Sequence, residues 1–284
     1  MSQVTSVILD ALRANGICTK IISSSSSLNN TFKLRTDSGD IFVKTNNDKN
    51  SQVMFEGEKE SLEAISEAVP GFAPKPLCVG TLPNGGAFLV TTFLQISGSS
   101  MQELFARKLA QLHSTYSPNG KFGFSVVTMC GTTEQDNTWE NDWETFFSER
   151  RLKSMIDKCL KKYPSDFRLR ELGEIVINKV IHHLLKDIEV KPVLIHGDLW
   201  SGNWGVDTIK KEPVVYDPCS YYGHNEMELS ILTMFGSPGP KYHKHYPRQE
   251  PGFEDRQGLN SFEWCSYRTS SISIMERLCK LVKE

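Results

Sequence analysis

Residues 192–217 read PVLIH, GDLWSG, NWGV, DTIKKE and PVVYD in succession. The three apolar runs have the length of short buried strands, and turn residues separate them. Between the first two lies HGDLWSGN, residues 196–203, which sets His, Asp, Trp and Asn at the end of a strand. A carboxylate in a partly dry place is costly unless something pairs with it. Gly-Asp and Ser-Gly-Asn are also ordinary turn chemistry. Whether the loop is a turn or a catalytic loop depends on what the rest of the chain supplies.

The first third is strand-rich. TFKLR (31–35), the turn TDSGD and IFVKT (41–45) carry a hairpin signal. The tract SSSSSLNN (23–30) before them reads as a loop between two strands. In 53–68, Phe55, Leu62, Ile65 and Val69 fall on one helical face, and the Pro-rich VPGFAPKP ends that helix. AFLVTTFL (87–94) is a buried strand. Beyond it the pattern turns helical, at 102–114, from Asn141 with Glu144 as a capping pair, at 169–187 with His183 in the apolar stripe, and at 225–235. These elements predict an α+β chain of two lobes. A small antiparallel-sheet lobe spans 1–94 and a larger, mainly helical lobe 95–284.

Across that division four residues fit one chemistry. Asp198 lies just past a strand, Asn203 five residues later, Asp217 at the end of the next long apolar run, and Lys44 closes IFVK in the small lobe. Phosphoryl transfer needs a carboxylate for the attacking hydroxyl, oxygen ligands for Mg2+ and an ammonium for the nucleotide phosphates. The protein-kinase pattern H-R-D-x-x-x-x-N matches His196, Asp198 and Asn203, with Gly197 in place of Arg. Lys44 requires an orienting carboxylate. Of Glu56, Glu58 and Glu60, only Glu58 shares the inward face of Phe55, Leu62 and Ile65. His196 reads as a structural histidine bonded to nearby backbone.

VLIHGDLWSGNWGV followed by PVVYDPCSYYGHNEMELSILTMFG resembles the signature of the fructosamine-3-kinase and ketosamine-3-kinase family, which is similar in fold to aminoglycoside and choline kinases. IFVK, MFEGEKESL, KFGFSVVTMCG and NDWETFF resemble it too, from about residue 30 to residue 236, with an island at 266–278. The resemblance implies a two-lobed protein-kinase-like fold and an ATP-dependent kinase that phosphorylates the C3 hydroxyl of ketoamines on proteins or small amines. The unstable product then falls off, which deglycates the protein. It implies Asp198 as catalytic base, Asn203 and Asp217 as magnesium ligands, Lys44 on the phosphates with Glu58 orienting it, and an adenine hinge near Thr91, Thr92 and Phe93. Trp200 is expected to stack on the sugar or its alkyl chain. His224 and Glu226 are placed on the substrate side, either fixing the Asp217 loop or capping a helix.

A formal charge of −2 offers no electrostatic case for nucleic acid or anionic membrane partners. Seven cysteines without CxxC spacing, and an N-terminal helix too short to span a bilayer, place the chain in the cytoplasm with reduced thiols. Oligomeric state is not legible. Two features depart from the family: the nucleotide loop is serine-rich rather than glycine-rich, and the chain from about 237 is atypical or shortened, which predicts core left facing water. They motivate one alternative, a nucleotide-binding pseudokinase; a second, a small-molecule kinase of the aminoglycoside or choline type, is separated from the ketoamine reading by the WSGN and DPxxxYGHxExEL context.

Overall fold

The computed structural model describes residues 3–26, 30–83, 85–234, 239–261 and 268–282. The small lobe is a five-stranded antiparallel sheet. Its strands β1 (Ile21–Ser26), β2 (Thr31–Thr36), β3 (Gly39–Asn46), β4 (Pro76–Thr81) and β5 (Ala87–Thr92) are ordered β1-β2-β3-β5-β4. Alternation along β3 sends Ile41 and Val43 to one face and Phe42 and Lys44 to the other. On the first face α1 (Gln3–Ala14) packs Ile8, Leu9 and Leu12 against Leu34, Val43, Phe88 and Val90. α2 (Ser51–Ala68) follows β3 and buries Phe55, Leu62 and Ile65 in a core that continues into the large lobe.

The chain leaves the sheet at Thr92, and β6 (Ile96–Ser97) pairs with the large lobe. Thereafter come α3 (Gln102–Leu112) and the hairpin of β7 (Thr128–Cys130) and β8 (Thr133–Gln135). A helical run continues through α4 (Trp143–Thr145), a π-helical stretch Phe146–Lys153 and α5 (Ser154–Lys162). A second runs through α6 (Phe167–Ile175), a π-helical stretch Val176–Val180 and α7 (Ile181–Leu185). Strands β9 (Val193–Ile195) and β12 (Tyr221–Gly223) pair antiparallel, as do β10 (Trp204–Asp207) and β11 (Glu212–Val215). Helices α8 (Asn225–Met234), the one-turn α9 (Gly239–Tyr242), α10 (Phe253–Ser261) and α11 (Arg268–Cys279) complete the lobe. These are the two lobes of a protein-kinase-like fold.

Three sequence expectations are corrected. Ser23 to Ser26 form strand rather than loop, because pairing with Arg35, Lys33 and their neighbours on β2 satisfies their backbone; residues 27–29 lie outside the described residues. Asp142, not Asn141, caps its helix, its carboxylate accepting from the Thr145 amide at 2.8 Å. His183 is exposed and Leu184 is buried. The π-helical stretch before it adds a residue to the turn and shifts the apolar stripe by one position.

In the C-terminal region, α10 and α11 bury Leu259, Met275, Leu278 and Cys279 in the main core, so these helices cover the lobe that the sequence suggested was left open. The segments 235–238 and 262–267, at the two sequence breaks, lie outside the described residues. Arg256 on α10 is the latch. It is 1% exposed and pairs with Glu226 of α8 through Nε at 2.8 Å and Nη2 at 2.9 Å. It also donates to the carbonyls of Pro251 and Gln249, each at 2.6 Å. Removing one partner of a buried pair strands the other charge, so Arg256→Ala is expected to lower unfolding free energy by about 3–5 kcal/mol in urea titrations. Arg256→Met combined with Glu226→Leu should recover most of that loss.

Candidate active site

Two strand pairings build the site. Register pairs Trp204 with Val215, and the Tyr216 amide donates to the Asn203 carbonyl at 3.0 Å, so Asn203 and Asp217 emerge together from the β10–β11 hairpin. β9 delivers His196 to Asp198 beside them. His196 is buried; its Nδ1 accepts from the Asp198 amide at 3.3 Å and its Nε2 faces the Tyr216 carbonyl at 3.0 Å. This pattern fits a neutral ring protonated on Nε2, in line with burial, which pushes its pKa down. The histidine thus ties the two loops through both ring nitrogens.

Gly197 explains the missing arginine. Its φ is +90°, and a Cβ there would stand 2.2 Å from the Cys219 carbonyl oxygen, so only glycine fits. Behind the loop, buried Glu228 of α8 accepts from the amides of His196 and Gly197. Glu228 is a position of the DPxxxYGHxExEL signature, but its role is not legible there because its partners are backbone amides 31 and 32 residues away.

Asp198 and Asn203 meet directly: Asn203 Nδ2 donates to the Asp198 carbonyl at 2.7 Å and to its Oδ2 at 3.1 Å. That leaves the Asn203 Oδ1 as an acceptor. Burial pushes the Asp198 carboxyl up to about 7, nearby Glu228 and Asp217 add to the rise, and the Asn203 bond opposes it. From the small lobe, Lys44 Nζ lies 2.5 Å from Glu58 Oε1 and 2.5 Å from Asp217 Oδ1. Burial works against the ammonium, yet the two carboxylates more than offset it and hold Lys44 charged. Asp217 sits at φ +59°, an uncommon backbone for a residue with a side chain.

Beside Lys44 opens a cavity of about 430 Å³ lined by Phe42, Thr91, Thr92, Phe93, Tyr216 and Asp217, among others. The three predicted hinge residues all border it. Trp200 is 39% exposed and its ring lies over Gly202, where a Cβ would stand 2.2 Å from it. Trp204 is buried and stacks on Phe105 with centroids 4.0 Å apart. His224 and Glu226 take another place: they are 3% and 2% exposed, and Glu226 is bound to Arg256. Neither is open to a substrate; both belong to the packing that supports α8.

A two-lobed fold with these charged groups in its cleft defines a phosphotransferase of the protein-kinase-like class. The sequence profile of the fructosamine kinase family matches residues 1–263. A chloroplastic protein-ribulosamine 3-kinase of Oryza sativa subsp. indica is 36% identical over 286 residues, covering 94% of this chain and 82% of that one. The ketosamine-3-kinase of Mus musculus is 36% identical over 282 residues, covering 86% and 90%. The chain belongs to the fructosamine kinase family. Among solved structures, a candidate fructosamine-3-kinase from Thermobifida fusca superposes with a TM-score of 0.82 at 20% identity, covering 99% of this chain and 100% of that one. The aminoglycoside phosphotransferase APH(4)-Ia, solved with ADP and hygromycin B, gives 0.57 at 13% identity, covering 98% and 99%.

His224 makes the scaffold sensitive to acid. Burial, then the positive charge of Arg256 and the neighbouring His113, push its pKa down to about 3. Below the ordinary histidine pKa of about 6.5 the unfolded chain binds a proton that the folded chain refuses. Stability from this group is therefore intact above about pH 6.5 and falls by about 1.4 kcal/mol per pH unit down towards the folded value. The raised Asp198 carboxyl contributes the opposite slope over the same range, so the check is the difference between proteins: between pH 7 and pH 5, His224→Gln should change the pH slope of unfolding free energy from urea titrations by close to one proton relative to the unsubstituted chain.

Proposed function

We propose that this protein is an ATP-dependent ketosamine 3-kinase that phosphorylates the C3 hydroxyl of sugar adducts on protein lysines and small amines. The observation that carries the reading is the row Glu58, Lys44, Asp217, Asn203 and Asp198: Lys44 pairs with Glu58 and Asp217, the Tyr216 amide next to Asp217 donates to the Asn203 carbonyl, and Asn203 Nδ2 donates to Asp198. It puts an ammonium, two oxygen donors and a carboxyl of near-neutral pKa along one cleft.

ATP fits the cavity beside Lys44, with its base against the hinge Thr91, Thr92 and Phe93 and its phosphates reaching the Lys44 ammonium. Mg2+ suits the donor set. Asp217 and the Asn203 amide oxygen are hard ligands, and magnesium commonly takes only one or two protein oxygens alongside phosphate and water. When bound, the ion would neutralise charge on the transferring phosphoryl group. Asp198 orients the acceptor hydroxyl and takes its proton; a carboxyl titrating near neutrality is well matched to both states of that task. Trp200 offers an exposed aromatic face two residues from Asp198 for the sugar or the alkyl chain that carries it.

The six cysteines among the described residues are all free thiols, and among those residues no helix is long and apolar enough to cross a membrane. Free thiols support the reading of a cytoplasmic enzyme working in a reducing compartment.

Asp198→Asn keeps the shape and removes the base, so kcat with fructosyl-lysine or ribulosyl-lysine, ATP and Mg2+ should drop by about 10²–10⁴-fold. ATP binding should change little. Folded wild-type protein that binds ATP without phosphorylating either ketoamine would overturn the reading in favour of a nucleotide-binding role. Trp200→Ala should raise KM for the ketoamine far more than KM for ATP; equal rises would remove Trp200 from the substrate site.

A further inference from the structure

The helix that carries Glu58 is fastened to the large lobe at two points on either side of that residue. At Gly57 it runs against the β7 strand so closely that a Cβ would stand 2.6 Å from the Val127 carbonyl oxygen and 3.1 Å from the Thr128 Cα. One turn on, the Ser61 hydroxyl donates to the Gly57 carbonyl at 2.7 Å and accepts from the Ser220 amide at 3.0 Å. Ser61 and Ser220 are both fully buried. Ser220 lies three residues beyond Asp217, and the neighbouring Cys219 amide donates to the His196 carbonyl at 3.0 Å. The second fastening therefore joins α2 to the same backbone that presents Asp217 and His196.

The surface that receives Gly57 is itself held. Asn137 Nδ2 donates to the Val126 carbonyl and to Thr128 Oγ1, both at 2.9 Å. Arg151 donates to Asn137 Oδ1 at 2.6 Å, and its guanidinium lies between the rings of Phe146 and Tyr221, 4.5 and 4.2 Å from their centroids. β7 is thus part of the packed large lobe rather than a loose flap.

We infer that Gly57 and Ser61 are positioning residues for phosphoryl transfer, which bolt α2 to the large lobe so that the Lys44–Glu58 pair is assembled before nucleotide arrives. The inference rests on the proposed ATP-dependent reaction, and it assigns these two residues no contact with substrate. They act through Glu58. A side chain at 57 must move either α2 or the β7 backbone, because a carbonyl oxygen cannot step aside as a flexible side-chain end can. Loss of the Ser61 hydroxyl leaves the buried Ser220 amide without its acceptor. Either change displaces the carboxylate that aims Lys44, and misplacements of about 1 Å cost on the order of 10²-fold in rate.

The test is a double-mutant cycle on the full chain, with kcat and the KM values for ATP and fructosyl-lysine measured separately. Gly57→Ala should lower kcat by about tenfold or more and leave KM for the ketoamine nearly unchanged. In a Glu58→Gln background, where the ion pair is already gone, the same substitution should cost less than about twofold. Gly173→Ala is the matched control: its Cβ would stand 2.9 Å from Ile156 Cδ1, far along the chain from this helix, and kcat should be retained. If Gly57→Ala does not fold, Ser61→Ala carries the cycle. Equal losses in both backgrounds, or no loss in either, would overturn the inference. Amide hydrogen exchange gives an answer independent of turnover. Amides of α2 around 57–61 should be protected equally with and without ATP and Mg2+, whereas protection that appears only with nucleotide would overturn pre-assembly. Absence of turnover by the wild-type chain with equal protection would instead sink the proposed reaction and leave the bolt standing.

Discussion

One ammonium joins the lobes. Lys44 reaches Glu58 beside it in the small lobe and Asp217 across the cleft, at 2.5 Å each. Without it the mostly buried Glu58 would lose the cation that offsets its burial, and its proton affinity would rise further. With it, the outward register of β3, the inward face of α2 and the end of β11 all point at a single spot. Each of these elements is placed by ordinary packing, by Val43 against α1, by Phe55 and Leu62 in the main core, by Val215 beneath the hairpin. The ion pairs then fix where the charges stand, and the HGDLWSGN loop stands beside that position.

The loop itself is organised by contacts to backbone groups. His196 bridges two backbone segments, Gly197 leaves room for the Cys219 carbonyl, and Glu228 gathers amides from beneath. Their joint effect is to keep Asp198 partly dry and close to other carboxylates, which raises its proton affinity. The same arrangement accounts for the motif's composition. Histidine supplies a donor and an acceptor on opposite edges of one ring, and glycine supplies a backbone that no other residue can adopt there.

Much of this was legible in the sequence because it depends on local spacing. The β2–β3 hairpin, the apolar face of α2 and the choice of Glu58 over Glu56 and Glu60 follow from periods of two and 3.6. What escaped was either non-local or a shift of phase. Arg256 and Glu226 are thirty residues apart and meet only because α10 docks on α8. The outward turn of His183 follows from a π-helical stretch that no single-period pattern anticipates. The serines of β1 look like coil by composition, yet an available sheet edge makes them a strand. The motif YGHNEMEL places His224 and Glu226 on the substrate side, either fixing the Asp217 loop or capping a helix; β12 and the start of α8 carry them inside, where both are buried.

The main core does not respect the division of the chain into lobes. Phe55, Leu62, Ile65 and Leu89, from before residue 94, are packed in the same cluster as Phe105, Leu109 and Val215 from after it. Among the described residues, only the outer face of the sheet, beneath α1, has a cluster of its own. The boundary is therefore one of topology and not of thermodynamics. A chain packed this way is expected to unfold as a single cooperative body with a small apolar annex, the sheet that carries Lys44 melting with the large lobe rather than as an independently stable module.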